Sequence, residues 1–359
     1  MPSITNALHR LGQSLWLDNI TRTMLDDGTL ARYIADLSVT GLTSNPTIYN
    51  QAVKGSTAYD AAIAAHVRRG LSGEKLFFEL ALEDLTRAAD LFRGVHDRTG
   101  GVDGWVSLEV SPHLAYDPAA TLAAARDLFA RAARPNLFIK IPGTPEGLPA
   151  IEEAIFAGVP VNVTLLFTRE HYLAAADAYL RGIERRIDAG LPPRVASVAS
   201  LFISRWDSAS AAELPPPLKN TLGLAVGERC YKAYRDLLSS DRFQRLANFG
   251  AAPQRLLWAS TGTKDPALSD HLYVRGLAAP HTVNTMPEST LLAFADHGTL
   301  GGIVSAGGGT AERTLFEIDR AGVDVDVLGA QLQAQGAAAF VKSWDELLAV
   351  IETKQRSAG

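Results

Sequence analysis

The sequence predicts an α/β fold, a closed (β/α)8 TIM barrel with extra helices inserted after strands 2 and 6. Eight short apolar runs alternate with longer stretches whose apolar residues recur at i, i+3 and i+4, which is the spacing of amphipathic helices. Strands separated by helices pair in parallel through crossovers, and eight such units close into a barrel. The length of 359 residues fits this fold, because α/β barrels of that size are routinely one domain.

The strand and helix candidates follow one another along the chain with short connections. The strand candidates are SLWLDNI (14–20), VTGLTS (39–44), WVSLEVS (105–111), NLFIKI (136–141), VPVNVTLLF (159–167), RVASVASLFIS (194–204), RLLWAST (255–261) and HTVNT (281–285). Clear helical patterns between them are TLARYIADL (29–37), DPAATLAAARDLFARAAR (117–134), REHYLAAADAYLRGIERRIDAG (169–190) and GERCYKAYRDLLSS (227–240).

Additional helical segments interrupt the alternation of strand and helix patterns. We interpret them as insertions on the barrel rather than separate domains. One spans about 50–100, between the second and third strands, and another spans about 208–250 and contains a Pro-Pro-Pro break. A helical extension with Gly-rich punctuation covers about 305–359. The predicted organisation is therefore one barrel domain over 1–359, with the extension packed over the barrel.

Composition and charge exclude several classes of protein. Hydrophobic residues make up 47% of the chain and charged residues 20%, which is typical of a globular protein with a large core. No segment is long and apolar enough to span a bilayer, and the first sixteen residues lack the apolar core of a secretory signal. A net charge of −5 gives no basic surface for nucleic acid. The single cysteine, Cys230, fits a reducing cytoplasm.

Polar side chains stand at or near the ends of almost all the predicted strands. In a barrel of this kind, functional residues come from the carboxyl ends of the strands and the loops that follow. Any one polar residue there is weak support for a site, because polar residues end strands in every protein. The whole set is more informative, because its members are expected to converge at the mouth of the barrel, the end formed by the carboxyl ends of the strands. The set comprises Asp18, Asn45, Glu109, Lys140, Asn162 with Thr164, Ser200 with Arg205, and Ser260 with Lys264.

Lys140 is the unusual member of this set, because it lies inside the apolar run Leu-Phe-Ile-Lys-Ile. A buried ammonium costs several kcal/mol, roughly, unless it is paired or neutralised. One interpretation is a structural lysine that reaches the barrel mouth or pairs with a carboxylate. The other is a catalytic lysine, because burial favours the free amine, which attacks a carbonyl to form a Schiff base.

Schiff-base chemistry that breaks a C–C bond also needs a base for the released hydroxyl proton and a proton shuttle for forming the imine, and two carboxylates are placed to supply them. Asp18 in WLDN and Glu109 in SLEV end two apolar strands. Each could equally be the structural partner of an arginine. Two carboxylates near one buried lysine occupy different environments, so their pKa values separate and their roles differ.

Six motifs, in this order and with comparable spacing, resemble the transaldolase family. They are LDNITR, TGLTSNPTIY, SLEVSP, FIKIPGT, VNVTLLF and SLFISRWD. The resemblance runs from about residue 14 to at least residue 265, and TSNPT and FIKIPGT together with VNVTLLF are its specific parts. It implies a cofactor-free (β/α)8 barrel that uses no metal and acts in the non-oxidative pentose phosphate pathway, as a cytoplasmic monomer or homodimer whose partners are phosphorylated sugars.

The resemblance also implies roles for the residues at the mouth. Lys140 would form the Schiff base with the C2 carbonyl of a ketose phosphate. Asp18 would take the C4 hydroxyl proton as the C3–C4 bond breaks. Glu109 would shuttle protons through a water that Thr164 also holds.

Substrate-binding roles are implied for residues beside these four. Asn45 and Asn162 would orient the substrate hydroxyls. Ser200 would bind the three-carbon unit, and Phe202 stands near it where aldolases of the superfamily carry tyrosine. Because phenylalanine has no hydroxyl to assist proton transfer, it favours transfer to a second sugar.

The phosphate end departs from the family pattern. Arg205 matches the first phosphate-binding arginine and Ser260 aligns, but Gly262 stands where many members have a second arginine. Lys264 follows two residues later and is the hypothetical substitute, as a point charge without the guanidinium fork.

Three alternatives accompany the transaldolase interpretation. A fructose 6-phosphate aldolase of the same superfamily would release free dihydroxyacetone. A catalytically inactive barrel would bind sugar phosphates as a sensor or scaffold, with no use for a buried amine. A metal-dependent aldolase is disfavoured because the eight histidines form no HxxxH or HxH pair.

Overall fold

Eight parallel strands form a closed barrel in the computed structural model of this chain, which describes residues 3–358. Each strand pairs with the next one in sequence, and the eighth pairs with the first. The strands are β1 Gln13–Leu17, β2 Val39–Leu42, β3 Trp105–Glu109, β4 Leu137–Pro142, β5 Val161–Leu166, β6 Ser197–Phe202, β7 Gln254–Ala259 and β8 Thr282–Met286. The predicted (β/α)8 barrel is confirmed, and each strand overlaps its predicted segment.

Helices cover the outside of the barrel, and several of the connections between strands contain more than one helix. They are α1 Ile4–Arg10, α2 Arg22–Asp26, α3 Thr29–Asp36, α4 Pro46–Lys54, α5 Asp60–Arg68, α6 Gly73–Arg98, α7 Pro118–Ala132, α8 Gly147–Phe156, α9 Arg169–Asp188, α10 Ser204–Ser210, α11 Leu222–Leu238, α12 Asp241–Asn248, α13 Leu272–Gly276, α14 Glu288–His297, α15 Ala311–Arg320 and α16 Val325–Ala358. Among these helices, none has both the length and the apolar character that crossing a membrane requires.

The extra helices lie where the sequence pattern places them. Three helices, α4 to α6, connect β2 to β3, and three more, α10 to α12, connect β6 to β7. The Pro-Pro-Pro run leads into a short 3-10 turn at Pro216–Leu218, between α10 and α11. Proline breaks the regular helix here because it lacks the backbone N–H that helical hydrogen bonds need.

Polar side chains close the amino-terminal end of the barrel. The Arg255 guanidinium donates to Ser14 Oγ at 2.6 Å and to Asp103 Oδ1 at 3.2 Å. Ser14 Oγ in turn donates to Asp103 Oδ2 at 2.8 Å. These bonds join β1, β7 and the segment before β3. The Arg255–Asp103 ion pair, to which Ser14 is also hydrogen-bonded, therefore holds this end of the barrel interior together.

An aromatic layer fills the barrel above that ion pair. Side chains alternate along a strand, so Trp16 points inward two residues after Ser14 on β1. The Phe138 ring lies 4.1 Å from the Trp105 ring and 6.1 Å from the Trp16 ring, between centroids. Gly41 makes room for this layer, because a Cβ there would lie 2.6 Å from Trp16 Nε1. The layer supports the mouth from below.

The long helix α16 crosses the carboxyl ends of the strands. Gly329 allows the close approach, since a Cβ there would lie 2.3 Å from Thr168 Cγ2. Gln333 Nε2 donates to the carbonyl oxygens of Gly143 and Leu165 at 3.1 and 2.9 Å. Farther along, Trp344 is fully buried against helix α6. The helix is therefore fixed to β4, β5 and the first insertion at once.

Candidate active site

Three neighbouring strands bring the lysine and its partners to one level of the barrel. The register pairs Glu109 on β3 with Lys140 on β4, and Lys140 with Asn162 on β5. Lys140 Nζ donates to Glu109 Oε2 and to the Ser44 carbonyl oxygen, both at 3.0 Å. The lysine side chain is only 7% exposed. It therefore stays inside the barrel mouth and does not reach bulk solvent.

Asp18 faces the same mouth from the end of β1. Thr43 Oγ1 donates to Asp18 Oδ1 at 3.0 Å and also lies 2.9 Å from Thr285 Oγ1. Loss of hydration raises the pKa of Asp18 to about 6, although Lys140, the Thr43 hydroxyl and Lys264 each lower it. A carboxylate with such a pKa can accept and return a proton near neutral pH.

Glu109 and Thr164 each present a buried oxygen that other described side chains leave unbonded. Glu109 Oε1 and Thr164 Oγ1 have no hydrogen-bond partner within residues 3–358. Burial raises the pKa of Glu109, while its ion pair with Lys140 lowers it. Buried polar atoms of this kind call for an explanation, and a water or substrate group bound by both is one.

A short chain of hydrogen bonds connects β6, β5 and β3 inside the barrel, next to the mouth. Ser200 Oγ donates to Asn162 Oδ1 at 2.7 Å, and Asn162 Nδ2 donates to Ser107 Oγ at 3.1 Å. Asn162 is fully buried, so its amide holds Ser200 in place rather than facing the cavity. Ser107 was not predicted, although it precedes Glu109 by two residues and must share its face of the strand.

Asn45 combines a structural role with a place in the cavity. Its Oδ1 accepts from the Ile48 backbone N–H at 3.1 Å, which caps α4, and Pro46 occupies the first turn. This is the ordinary role of an asparagine before proline at a helix start. The side chain also lines the cavity, so its amide nitrogen remains available for a ligand.

A cavity of about 730 Å³ joins these side chains at the carboxyl ends of the strands. Nine of the predicted residues line it, namely Asp18, Asn45, Lys140, Thr164, Ser200, Phe202, Arg205, Ser260 and Lys264. Glu109 and Asn162 lie behind the wall and contact Lys140 and Ser200. The structure thus brings every predicted site residue into or against one cavity.

Two cations stand at the outer part of this cavity. Arg205 lies in the first turn of α10 and 5.6 Å above the Phe202 ring, and burial lowers its pKa. Neither Arg205 nor Lys264 forms an ion pair with a carboxylate in the part of the chain that the structure describes. Ser260 lines the same cavity, with its Oγ 2.9 Å from Ser204 Oγ. Two uncompensated cations are the donor set that a phosphate group needs.

The long helix α16 also contributes a wall residue that the sequence analysis missed. Phe340 lines the cavity, with its ring centroid 5.8 Å from Lys140 Nζ and 6.5 Å from the Phe202 ring. It is 6% exposed. Its position 200 residues after Lys140 and in the middle of a helix gave no signal that could have found it.

A larger cavity, about 930 Å³, lies at the opposite end of the barrel. It is lined by residues at the amino ends of the strands, including Ser14, Trp105 and Arg255. None of the predicted site residues lies there. Barrel enzymes carry their chemistry at the carboxyl ends, so the smaller cavity is the candidate active site.

A closed (β/α)8 barrel with ionisable side chains converging at the carboxyl ends of its strands defines a barrel enzyme. The chain belongs to the transaldolase/fructose-6-phosphate aldolase family, whose model matches residues 15–351. It is 46% identical over 357 residues to the transaldolase of Thermobifida fusca, covering 97% of each chain. It is also 44% identical over 352 residues to the transaldolase of Saccharopolyspora erythraea, covering 96% of each chain. The family and transferase class predicted from the motifs are therefore confirmed.

Proposed function

We propose that this chain is a transaldolase that works through a Schiff base on Lys140. It transfers a dihydroxyacetone unit from sedoheptulose 7-phosphate or fructose 6-phosphate to glyceraldehyde 3-phosphate or erythrose 4-phosphate, in the non-oxidative pentose phosphate pathway. The near full-length relatives carry that name. The observation that carries the mechanism is the buried Lys140 bonded to Glu109, with Asp18 facing the same cavity.

The first step is attack of the Lys140 amine on the C2 carbonyl of the ketose phosphate. Glu109 accepts the proton that the ammonium must lose, and burial favours the protonated acid by raising its pKa. The carbinolamine then loses its hydroxyl as water, with a proton returned from Glu109. The unpartnered Glu109 Oε1 and Thr164 Oγ1 support a water held between them as the proton carrier.

The second step breaks the C3–C4 bond. Asp18 takes the C4 hydroxyl proton, the aldose phosphate leaves as an aldehyde, and the bonding electrons pass into the imine to form an enamine on Lys140. An acceptor aldehyde then forms the new bond, with Asp18 returning its proton to the new hydroxyl. Water releases the product ketose and regenerates the amine. The raised pKa of Asp18 suits this reversible transfer.

The remaining residues bind and orient the sugar. Arg205 and Lys264 hold the phosphate, and Ser260, which lines the same cavity, donates a hydrogen bond to it. Asn45 and Ser200 bind the sugar hydroxyls at the inner end of the cavity. Asn162 acts on the substrate through Ser200, whose hydroxyl it holds.

Borohydride trapping tests the proposed Schiff base. The protein is incubated with fructose 6-phosphate, reduced, digested and analysed by peptide mass spectrometry. We expect one sugar-derived adduct, on the peptide that contains Lys140, and none in a Lys140→Ala variant. A Lys264→Ala variant is the matched control, because it removes another lysine of the same cavity but keeps the amine. Sugar phosphate binding without any adduct would overturn the Schiff-base mechanism and leave a binding barrel.

Transfer is favoured over simple cleavage by Phe202, which offers no hydroxyl to protonate the enamine. We expect little release of dihydroxyacetone from fructose 6-phosphate until erythrose 4-phosphate or glyceraldehyde 3-phosphate is added. Equal consumption of the donor without an acceptor would instead identify an aldolase.

The place and assembly of the protein are further proposals. We propose a cytoplasmic enzyme, because its phosphorylated substrates are intracellular metabolites and a single buried cysteine needs no oxidising compartment. We also propose a monomer or homodimer, which light scattering during gel filtration will distinguish.

A further inference from the structure

A cluster of three side chains outside the active site carries the donor atoms of a metal centre. Asp270 and His271 end the connection after β7, and His297 is the last residue of α14. Asp270 Oδ1 lies 3.0 Å from His271 Nδ1 and 3.1 Å from His297 Nε2, and all three donor atoms lie within 4.8 Å of one another. Ligand atoms on a tetrahedral zinc ion are about 3.3 Å apart, so small side-chain movements bring these three onto one ion.

A fourth residue supplies the outer contact that metal-binding histidines usually have. His297 Nδ1 lies 3.2 Å from Asp296 Oδ2, which leaves Nε2 on the side of Asp270. A histidine that binds a metal through one nitrogen nearly always donates its other N–H to a carboxylate or carbonyl oxygen. This contact is independent of the three donor distances, and it fixes the orientation of the ring toward the cluster.

The surroundings favour a cation that arrives from solvent. The cluster lines a cleft of about 470 Å³ together with Lys264 and Asp265. His271 is buried, whereas the side chains of Asp270 and His297 are about half exposed, at 54% and 53%. An ion can therefore enter from solvent without any unfolding of the protein. Asp265 and Asp270 outnumber Lys264 among the residues that line the cleft, which favours a cation.

We propose that Asp270, His271 and His297 bind one divalent transition-metal ion, such as Zn²⁺, with water completing the coordination. Two imidazole ligands favour Zn²⁺, Co²⁺ or Ni²⁺ over Mg²⁺ and Ca²⁺, which prefer all-oxygen sites. The ion takes no part in the Schiff-base chemistry, and its binding is independent of whether the proposed transfer reaction occurs.

The ion links two elements that also form the active-site cavity. Lys264 lines both the cluster's cleft and that cavity, and Glu288 at the start of α14 lines the cavity too. Thr263 Oγ1 donates to the Ser269 carbonyl oxygen at 2.8 Å, which ties the Lys264 side of the connection to Asp270. A bound ion therefore holds the connection 260–271 against α14 and restricts the position of Lys264.

Titration with Co²⁺ and Zn²⁺ tests the site directly, without an activity assay. Protein freed of any histidine tag and treated with chelator is titrated with Co²⁺ by visible absorption and with Zn²⁺ by calorimetry. We expect one ion per chain, with binding abolished in Asp270→Asn and His297→Gln. An Asp296→Asn variant should bind roughly 10- to 100-fold more weakly, as expected for loss of an outer contact. These side chains are exposed, so the variants should fold.

His113→Gln is the matched control, because His113 pairs with Asp345 at 2.8 Å in an exposed pair that, among residues 3–358, belongs to no three-donor cluster. It should bind as the unaltered protein does. Absence of binding in the unaltered protein, or equal binding in His297→Gln, overturns the site. Hydrogen exchange then tests the link: metal should slow exchange across 260–271 in the unaltered protein and in His113→Gln but not in His297→Gln, and unchanged exchange in the unaltered protein would overturn the restriction of Lys264.

Discussion

Asp18 illustrates at the scale of one residue how its surroundings in the barrel suit a carboxylate to the proton transfer proposed for it. Its side chain is partly buried at the end of β1, which disfavours the charged form, while two lysines and a threonine hydroxyl favour it. The resulting pKa of about 6 is far closer to neutrality than that of a free aspartate. A general base works best when its pKa lies near the working pH.

The pH dependence of the reaction should therefore report Asp18. A base must be deprotonated to act, so we expect kcat/KM to fall as the pH falls through about 6. Asp18→Asn should lower kcat by roughly 10²- to 10⁴-fold. It should also remove the acidic limb of the pH profile, which is the fall in kcat/KM as the pH falls through about 6. Lys264→Ala should move the limb to higher pH, because Lys264 lowers the pKa of Asp18. A limb unchanged in Asp18→Asn would assign the ionisation to another group.

Stability provides the control that separates this role from misfolding. Because folding raises the pKa of Asp18, its charge destabilises the folded state above about pH 6, and this cost disappears below the ordinary value of 3.8. Asp18→Asn should thus raise the free energy of unfolding by roughly 1–3 kcal/mol near neutral pH, and by less as the pH falls. An inactive variant that is also less stable would point to a structural defect.

The two cations of the cavity give a second prediction at the residue scale. Removing a phosphate contact weakens ground-state and transition-state binding together, which raises KM with little change in kcat. We expect this for Arg205→Ala and Lys264→Ala with phosphorylated acceptors, and a much smaller effect with an unphosphorylated aldehyde. Lys219→Ala, an exposed lysine elsewhere, is the control. An unchanged KM in Lys264→Ala would remove that lysine from the site.

Single residues could be predicted where the chain itself makes them conspicuous. Lys140 is conspicuous in an apolar strand, and Asp18 and Glu109 end two more such strands. Ser107 is an ordinary residue of β3 and Thr43 directly follows β2, and their importance depends on contacts with Asn162 and Asp18 that only the folded barrel creates. Sequence spacing along one strand carries no information about which neighbour lies across the mouth.

At the scale of elements, helix α16 is a part of the site rather than a cover added to it. Phe340 forms an apolar wall 5.8 Å from Lys140 Nζ, and Gln333 ties the helix to the ends of β4 and β5. In the proposed mechanism, an enamine on Lys140 is open to protonation by water until an acceptor arrives. We propose that the Phe340 wall excludes water from that intermediate.

Phe340→Ala should therefore redirect the reaction rather than simply slow it. We expect more dihydroxyacetone released per transfer event, because water reaches the enamine, with trapping on Lys140 preserved. Phe316→Ala is the matched control, since Phe316 lies on α15 and is 62% exposed. The measurement is the ratio of free dihydroxyacetone to transferred product at saturating acceptor. An unchanged ratio would assign Phe340 to packing alone.

The strands and helices could be predicted, because the spacing of apolar residues and the composition define them. The residues at which they end could not be predicted in this way. The predicted segment 14–20 continues three residues beyond β1, because the apolar Ile20 extends the apolar pattern past the polar Asp18 and Asn19. Within β5, Leu165 adopts a left-handed backbone with φ of 62°, and the pairing with β6 shifts there. Leucine rarely adopts this conformation, and no residue pattern announces it.

For the whole molecule, the insertions and the extension are proposed to belong to one domain. The long helix α16 packs on α4, α5 and α6 as well as on the barrel, so separate unfolding would expose shared core, including Trp344. We expect a single thermal transition, with equal calorimetric and van't Hoff enthalpies under reversible conditions. Two resolved transitions, or a stable barrel fragment after limited proteolysis, would contradict the single-domain organisation.

The order in which a ribosome delivers this chain gives the position of Phe340 a further consequence. All eight strands, with Lys140, Asp18 and Glu109, emerge before helix α16, and translation at about 5–20 residues per second leaves an interval of seconds. During that interval the barrel can close while Lys140, the proposed nucleophile, still lacks the apolar wall formed by Phe340. The wall of the mouth is thus completed only after all eight strands have been made, and a chain interrupted before residue 340 carries the proposed catalytic side chains without the Phe340 wall.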